Sequence, residues 1–192
     1  DATGDISDFD RTDFNISDIV VSINGNILSE LGLETPGITF YPQATESYGL
    51  EFNVLKKIIL NTVDVRPLGS DPPGIIRVNL FDSGDNLLQQ SAEQQLVTGI
   101  NTVTVGFTID LGTDYQLRPT YDLTTTKNLA RTSSAAGFPF EDDPADPSIS
   151  ITGGVTINLY YYFYNWQISE ADILIGPNGD NNYTLTIPSA EF

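Results

Sequence analysis

The residues best suited to holding a ligand form one aromatic run, Tyr160 to Trp166, which has aromatic side chains at every position except Asn165. Aromatic residues favour strands, and side chains alternate along a strand, so alternate residues from Tyr160 to Trp166 would share one face. Tyrosine and tryptophan rings stack on sugars and bond sugar hydroxyls. We therefore predict an aromatic ligand-binding platform of Trp166, Tyr164 and Tyr162, with Trp166 and Tyr164 the most accessible. The alternative is that these rings fill a core.

Closely spaced carboxylates form a second group of candidates. Calcium takes oxygen ligands, and acids are clustered near the N-terminus and again in a long polar segment, 121–147. The spacing is not that of an EF-hand loop, and acid runs are usually solvated surface. We predict that calcium, if bound, lies at one of these clusters, with the candidate ligands Asp8, Asp10, Asp13, Asp142, Asp143 and Asp146.

The composition argues against catalysis. The chain has no Cys and no His, which removes thiol nucleophiles, zinc–thiolate sites and the commonest general base. With 26 acids some carboxylates must lie near each other, yet no spacing marks a pair as the acid and base of a glycosidase. We predict that the chain is not an enzyme.

The charge balance restricts the partners. The net charge is -18, from 26 acids against 8 bases, and such a chain repels nucleic acid and anionic lipid. No apolar run approaches the roughly 20 residues of a membrane helix. The sequence begins at Asp1 without a charged and apolar leader, as expected of a mature or excised module. We predict an exported domain with no nucleic-acid partner and no membrane insertion.

Strand-like alternation extends through the middle of the chain. It is clearest from Thr102 to Asp110, where apolar residues alternate with threonine and glycine. Short strands separated by turns predict an all-β sandwich or barrel without substantial helix. The other predicted strands here are Tyr48–Val54, Ile58–Pro67, Gly74–Phe81, Asn86–Gln90 and Tyr115–Pro119.

Two further β segments are predicted towards the ends of the chain. Ile19 to Leu28 contains Asn24-Gly25, a strong hairpin signal, and Tyr183 to Ile187 alternates. An exposed strand edge can pair with another subunit, although pairing within the domain is the alternative. The candidate assembly residues are Ile19, Val21, Ile23, Tyr183, Leu185 and Ile187.

The order of several short motifs between Tyr48 and Ile168 resembles the jelly-roll β-sandwich modules of secreted and cell-surface Bacteroidetes proteins, which occur beside adhesin-like repeats. The motifs are Phe52–Val54, Leu60–Val65, Ile76–Leu88, Asn101–Val105, Leu111–Leu117, Asn128–Arg131, Gly137–Phe140, Ile149–Gly153 and the tyrosine run into Trp166. The resemblance implies an antiparallel jelly-roll sandwich over 48–168. An acidic N-terminal segment with a hairpin (1–47) and a C-terminal strand extension (169–192) would flank it.

The resemblance also implies an extracellular or cell-surface module without catalytic activity. We predict a structural and adhesive role, as a subunit of a filament or surface array whose partners are copies of itself or other surface proteins. Because like charges repel, we expect divalent ions to strengthen assembly. The alternative is a calcium-assisted carbohydrate-binding module for polysaccharide, and the third reading is a glycoside-active enzyme.

Overall fold

The structure is a computed structural model, which describes residues 27–40, 47–68, 74–122, 128–132, 137–156 and 159–171. They lie in the compact unit Gly25–Ala171. The described residues form strands and contain no helix, which confirms the all-β prediction. In chain order the strands are β1 (Ile27–Leu31), β2 (Thr39–Phe40), β3 (Leu50–Val54), β4 (Ile58–Val65), β5 (Pro67–Leu68), β6 (Ile75–Phe81), β7 (Leu87–Gln90), β8 (Gln94–Gln95), β9 (Asn101–Ile109), β10 (Gly112–Asp122), β11 (Asn128–Thr132), β12 (Phe140–Glu141), β13 (Ile149–Gly154), β14 (Tyr160–Tyr161) and β15 (Tyr164–Glu170).

Two antiparallel sheets make up most of the fold. The first has the order β1-β15-β4-β9, and the second has the order β12-β13-β3-β10-β6-β7, with β8 also paired to β6. A third, small sheet has the order β14-β11-β2, and β5 pairs with β11. Because β1 pairs with β15, residues before Tyr48 contribute a strand to the first sheet. This arrangement agrees with a β-sandwich, and the jelly-roll topology stays a prediction.

The hydrophobic core draws on both large sheets. Strand β9 buries every second residue, and β3 does the same, as expected when one face of each strand is covered. Val63 of the first sheet and Leu80 and Leu117 of the second belong to one buried cluster. The alternation predicted for Thr102–Asp110 is therefore confirmed. Gly106 has a φ of 69° and lies where the register of β9 against β4 shifts, which is the geometry of a β-bulge.

The aromatic run differs from its prediction as a single strand. It is divided between β14 and β15, and Tyr162 between them has a φ of 64°. The Phe163 amide donates to the Tyr161 carbonyl oxygen at 2.7 Å, which closes a tight turn. The alternation predicted across the run is wrong because this turn interrupts the extended backbone.

The long polar segment also contains more structure than its composition suggests. Strand β10 extends to Asp122, and β11 and β12 lie within the segment that the sequence predicts as a loop. Leu129 and Ala130 of β11 are completely buried, so this part of the segment belongs to the core. Within the described ranges, no helix has the length and apolar character needed to cross a membrane.

Candidate functional site

The three rings of the predicted platform are all buried. Trp166, Tyr164 and Tyr162 each have 0% of their surface exposed. The Trp166 ring meets Phe52 edge-on at 5.2 Å, and its indole nitrogen donates to the carbonyl oxygen of Phe163 at 2.9 Å. The prediction that Trp166 and Tyr164 are accessible is wrong, because the turn before β15 directs the rings into the core.

The tyrosine hydroxyls tie β14 and β15 to neighbouring segments. The Leu33 amide donates to the Tyr160 hydroxyl at 3.3 Å, and the Thr132 and Tyr164 hydroxyls lie 3.2 Å apart. Burial raises the pKa of both Tyr160 and Tyr164 above the ordinary value. These hydroxyls therefore remain neutral at physiological pH and serve as structural hydrogen-bonding groups.

Aromatic residues of the long polar segment cover the tyrosine run. Phe138 stacks on Tyr160 at 5.8 Å, and Phe140 meets the same ring edge-on at 5.4 Å. Phe138 and Phe140 are partly buried and pack against the core. The alternative considered for the aromatic run, that its rings fill the core beneath the long segment, is the one that the structure shows.

The carboxylates predicted to bind calcium in this segment each bind different donors. The Asp142 carboxylate accepts from the amides of Ser148 at 2.8 Å and Ile149 at 3.1 Å. Asp143 accepts from the Ala145 amide at 2.9 Å, whereas Asp146 forms an ion pair with Lys56 at 2.5 Å. Asp142 and Asp143 hold the turn before β13, and Asp146 binds Lys56 in the loop between β3 and β4, so the three carboxylates do not converge on one point.

No group of three or more acidic side chains in the described ranges is placed to hold a metal ion. Several candidates from the sequence fall outside those ranges. They are the N-terminal calcium candidates and all the assembly candidates: Asp8, Asp10, Asp13, Ile19, Val21, Ile23, Tyr183, Leu185 and Ile187.

The outer face of the larger sheet carries a polar cluster that the sequence analysis missed. Arg118 lies 4.7 Å over the Phe81 ring, pairs with Asp85 at 2.6 Å and donates to Gln116. Burial raises the pKa of the nearby Glu51 carboxyl, the charge of Asp114 raises it further, and Arg118 lowers it. The guanidinium is thus held by neighbours on three sides and organises this face.

Next to Arg118, a chain of amides and hydroxyls crosses the same face. The Asn79 side chain is only 2% exposed, donates to Thr120 at 2.7 Å and accepts from Gln90 at 2.7 Å. No motif announces such a network. From the sequence, the alternation of the predicted strands could place these polar residues on the outer face of the sheet. It could not predict which of them form hydrogen bonds with each other.

The charged and polar side chains described above mainly bind one another and stabilise the fold. The four ion pairs among the described residues are at least partly solvent-exposed, where such pairs contribute about 0–1 kcal/mol each. Comparison with known proteins finds no matching family model, no matching curated protein and no matching solved structure.

Proposed function

We propose that the chain is a non-catalytic, extracellular or cell-surface β-sandwich module with a structural and adhesive role, acting as a subunit of a larger assembly. The observation that carries this proposal is the complete burial of Trp166, Tyr164 and Tyr162. The side chains best suited to holding a small ligand instead stabilise the scaffold. A scaffold with a buried aromatic core and polar outer faces suits a structural protein.

The polar groups support the same proposal. Asp142 and Asp143 accept from amides of the turn before β13, and Asp146 pairs with Lys56. Arg118 is held by Asp85, Gln116 and Phe81. Glu51, an acid with a raised pKa, lies on a strand of the outer sheet face. Non-catalytic contact is the role that fits these groups.

The partners that we propose are copies of the same chain or other surface proteins. The net charge of -18 opposes the approach of two copies, because like charges repel over about a Debye length. Assembly should therefore strengthen as ionic strength rises, and divalent cations should be the most effective.

Sedimentation velocity over a wide range of protein concentration, at low and high salt and with calcium, tests the proposal. We expect larger species that grow with concentration and with screening. A monomer under every condition would contradict the assembly role. A monomer that binds members of a polysaccharide panel would favour the carbohydrate-binding alternative, and release of reducing sugar would establish an enzyme.

A further inference from the structure

Two glutamine side chains bind the backbone of the opposite sheet at one edge of the sandwich. The Gln94 amide group donates to the Thr104 carbonyl oxygen at 2.7 Å, and the Thr104 backbone N–H donates to the Gln94 side-chain oxygen at 2.9 Å. This side chain therefore satisfies both backbone groups of one β9 residue. It makes the same pair of bonds that a residue of an adjacent strand would make.

Gln89 makes a similar contact further along the strand. Its side-chain nitrogen donates to the Thr108 carbonyl oxygen at 2.7 Å. In the second sheet, Gln89 pairs with Leu80, and Gln94 pairs with Ile76. Leu80 and Ile76 are buried, so the two glutamines occupy core-facing positions on their edge strands, where an apolar residue would be ordinary.

Strand β9 is an edge strand of the first sheet. In the described part of the chain it pairs with β4 and is the last strand of its sheet. An edge strand with free backbone groups is a template for another strand, and proteins protect it with charged residues, prolines, β-bulges or a covering segment. Although the chain carries 26 acids, the nine residues of β9 include no charged residue and are rich in threonine and valine.

We propose that Gln89 and Gln94 form an edge lock, an internal contact that prevents β9 from pairing with β9 of a second copy of this chain. The glutamine amides occupy the backbone groups that an added strand would need. An apolar side chain at either of these half-exposed positions would leave those groups open. This inference does not rest on the proposed function, because it concerns one edge and applies whether or not the chain assembles elsewhere.

The test compares the wild-type chain with the double variant Gln89→Ala, Gln94→Ala. The matched control is Gln90→Ala, which lies between them but bonds Asn79 on the outer face. Sedimentation velocity at high ionic strength measures association, and hydrogen exchange at the Thr104 amide reports on β9 itself. In the dilute double variant, we expect this amide to exchange faster by on the order of tenfold, since its hydrogen bond is lost.

As the double variant is concentrated, we expect a new dimer and renewed protection of the Thr104 amide. The control should match the wild-type chain in both measurements. Adding Thr104→Lys to the double variant should abolish the dimer, because a charge on each copy then opposes pairing at that edge. Should the double variant be poorly folded, Gln94→Ala alone should show the same effects in weaker form.

Two results would overturn the edge lock. One is a folded variant lacking Gln94 that associates no more than the wild-type chain at any concentration. The other is new association that persists with Thr104→Lys present and leaves the Thr104 amide unprotected, since the contact would then lie elsewhere than β9.

Discussion

The indole nitrogen of Trp166 donates a hydrogen bond to the carbonyl oxygen of Phe163 at 2.9 Å, and both residues are completely buried. The bond joins the start of β15 to the tight turn that precedes it. As a single strand, the aromatic run would have presented two aromatic faces. The turn folds the chain back instead, and the rings are buried. This relationship makes the aromatic run part of the scaffold.

Replacing Trp166 with alanine should lower the free energy of unfolding by about 3–5 kcal/mol, because a large buried ring and its hydrogen bond are lost. Leu111→Ala is the matched control, since Leu111 is 65% exposed and should change stability by no more than about 0.5 kcal/mol. Urea denaturation followed by circular dichroism measures both. Similar values for the two variants would mean that Trp166 is not a core residue.

Comparing alanine substitutions at two glycines with similar φ angles separates the cost of backbone strain from the cost of steric overlap. Gly32 has a φ of 88° and Gly99 a φ of 101°, so alanine at either position should cost about 1–2 kcal/mol. A β-carbon at Gly32 would overlap the Tyr160 hydroxyl, whereas none of the described atoms lies within 4 Å of one at Gly99. We expect Gly32→Ala to cost about 1–3 kcal/mol more than Gly99→Ala in thermal or urea unfolding. Equal costs would exclude close packing of Tyr160 on Gly32.

The buried tyrosines should make the fold sensitive to alkali. Burial raises the pKa of Tyr160 and Tyr164 above the ordinary 10.0, so their stabilising contribution is complete below that value. Above it the unfolded chain releases protons that the folded chain retains, and stability falls as the pH rises. We expect part of the tyrosinate absorbance to appear together with loss of the β-sheet circular dichroism signal. Phenylalanine at both positions should make this loss less steep, and full ionisation of the wild-type tyrosines without unfolding would contradict their burial.

The turn between β6 and β7 should have the opposite pH dependence. The side chain and amide of Asn86 and the Gly84 amide donate to Asp82, and these bonds hold the pKa of its carboxyl below the ordinary 3.8. Its contribution is present above 3.8 and is lost as the pH falls through the folded value. NMR titration should show the lowered pKa in the wild-type chain and a value nearer 3.8 in Asn86→Ala. An unchanged pKa in that variant would show that the Asn86 side chain does not hold the carboxylate.

The middle strands could be predicted because their pattern has one cause. Val103 to Ile109 alternates with threonine and glycine since one face of β9 meets the core, and the predicted bounds of β3, β4, β6, β7 and β9 agree closely with those observed. The aromatic run could not be predicted in the same way. Its residues favour a strand, but the positive φ at Tyr162 is set by packing that the sequence does not display.

The polar sites show a similar limit. Asp142, Asp143 and Asp146 are close in sequence, but the turn before β13 assigns them separate donors, so spacing alone overstated their convergence. For Gln89, the sequence did not predict a contact that the structure shows, its hydrogen bond to the Thr108 carbonyl oxygen. Gln89 lies in the predicted strand Asn86–Gln90, but the sequence pattern there does not show which face of the strand it occupies. Which backbone it binds depends on the pairing of the two sheets.

The central claim, that the aromatic run is core rather than a binding surface, is tested most directly by the fluorescence of Trp166, the only tryptophan in the chain. We predict blue-shifted emission, weak quenching by acrylamide and no change on addition of a polysaccharide panel. Emission and quenching like those of free indole, or a shift on adding a polysaccharide, would contradict the account.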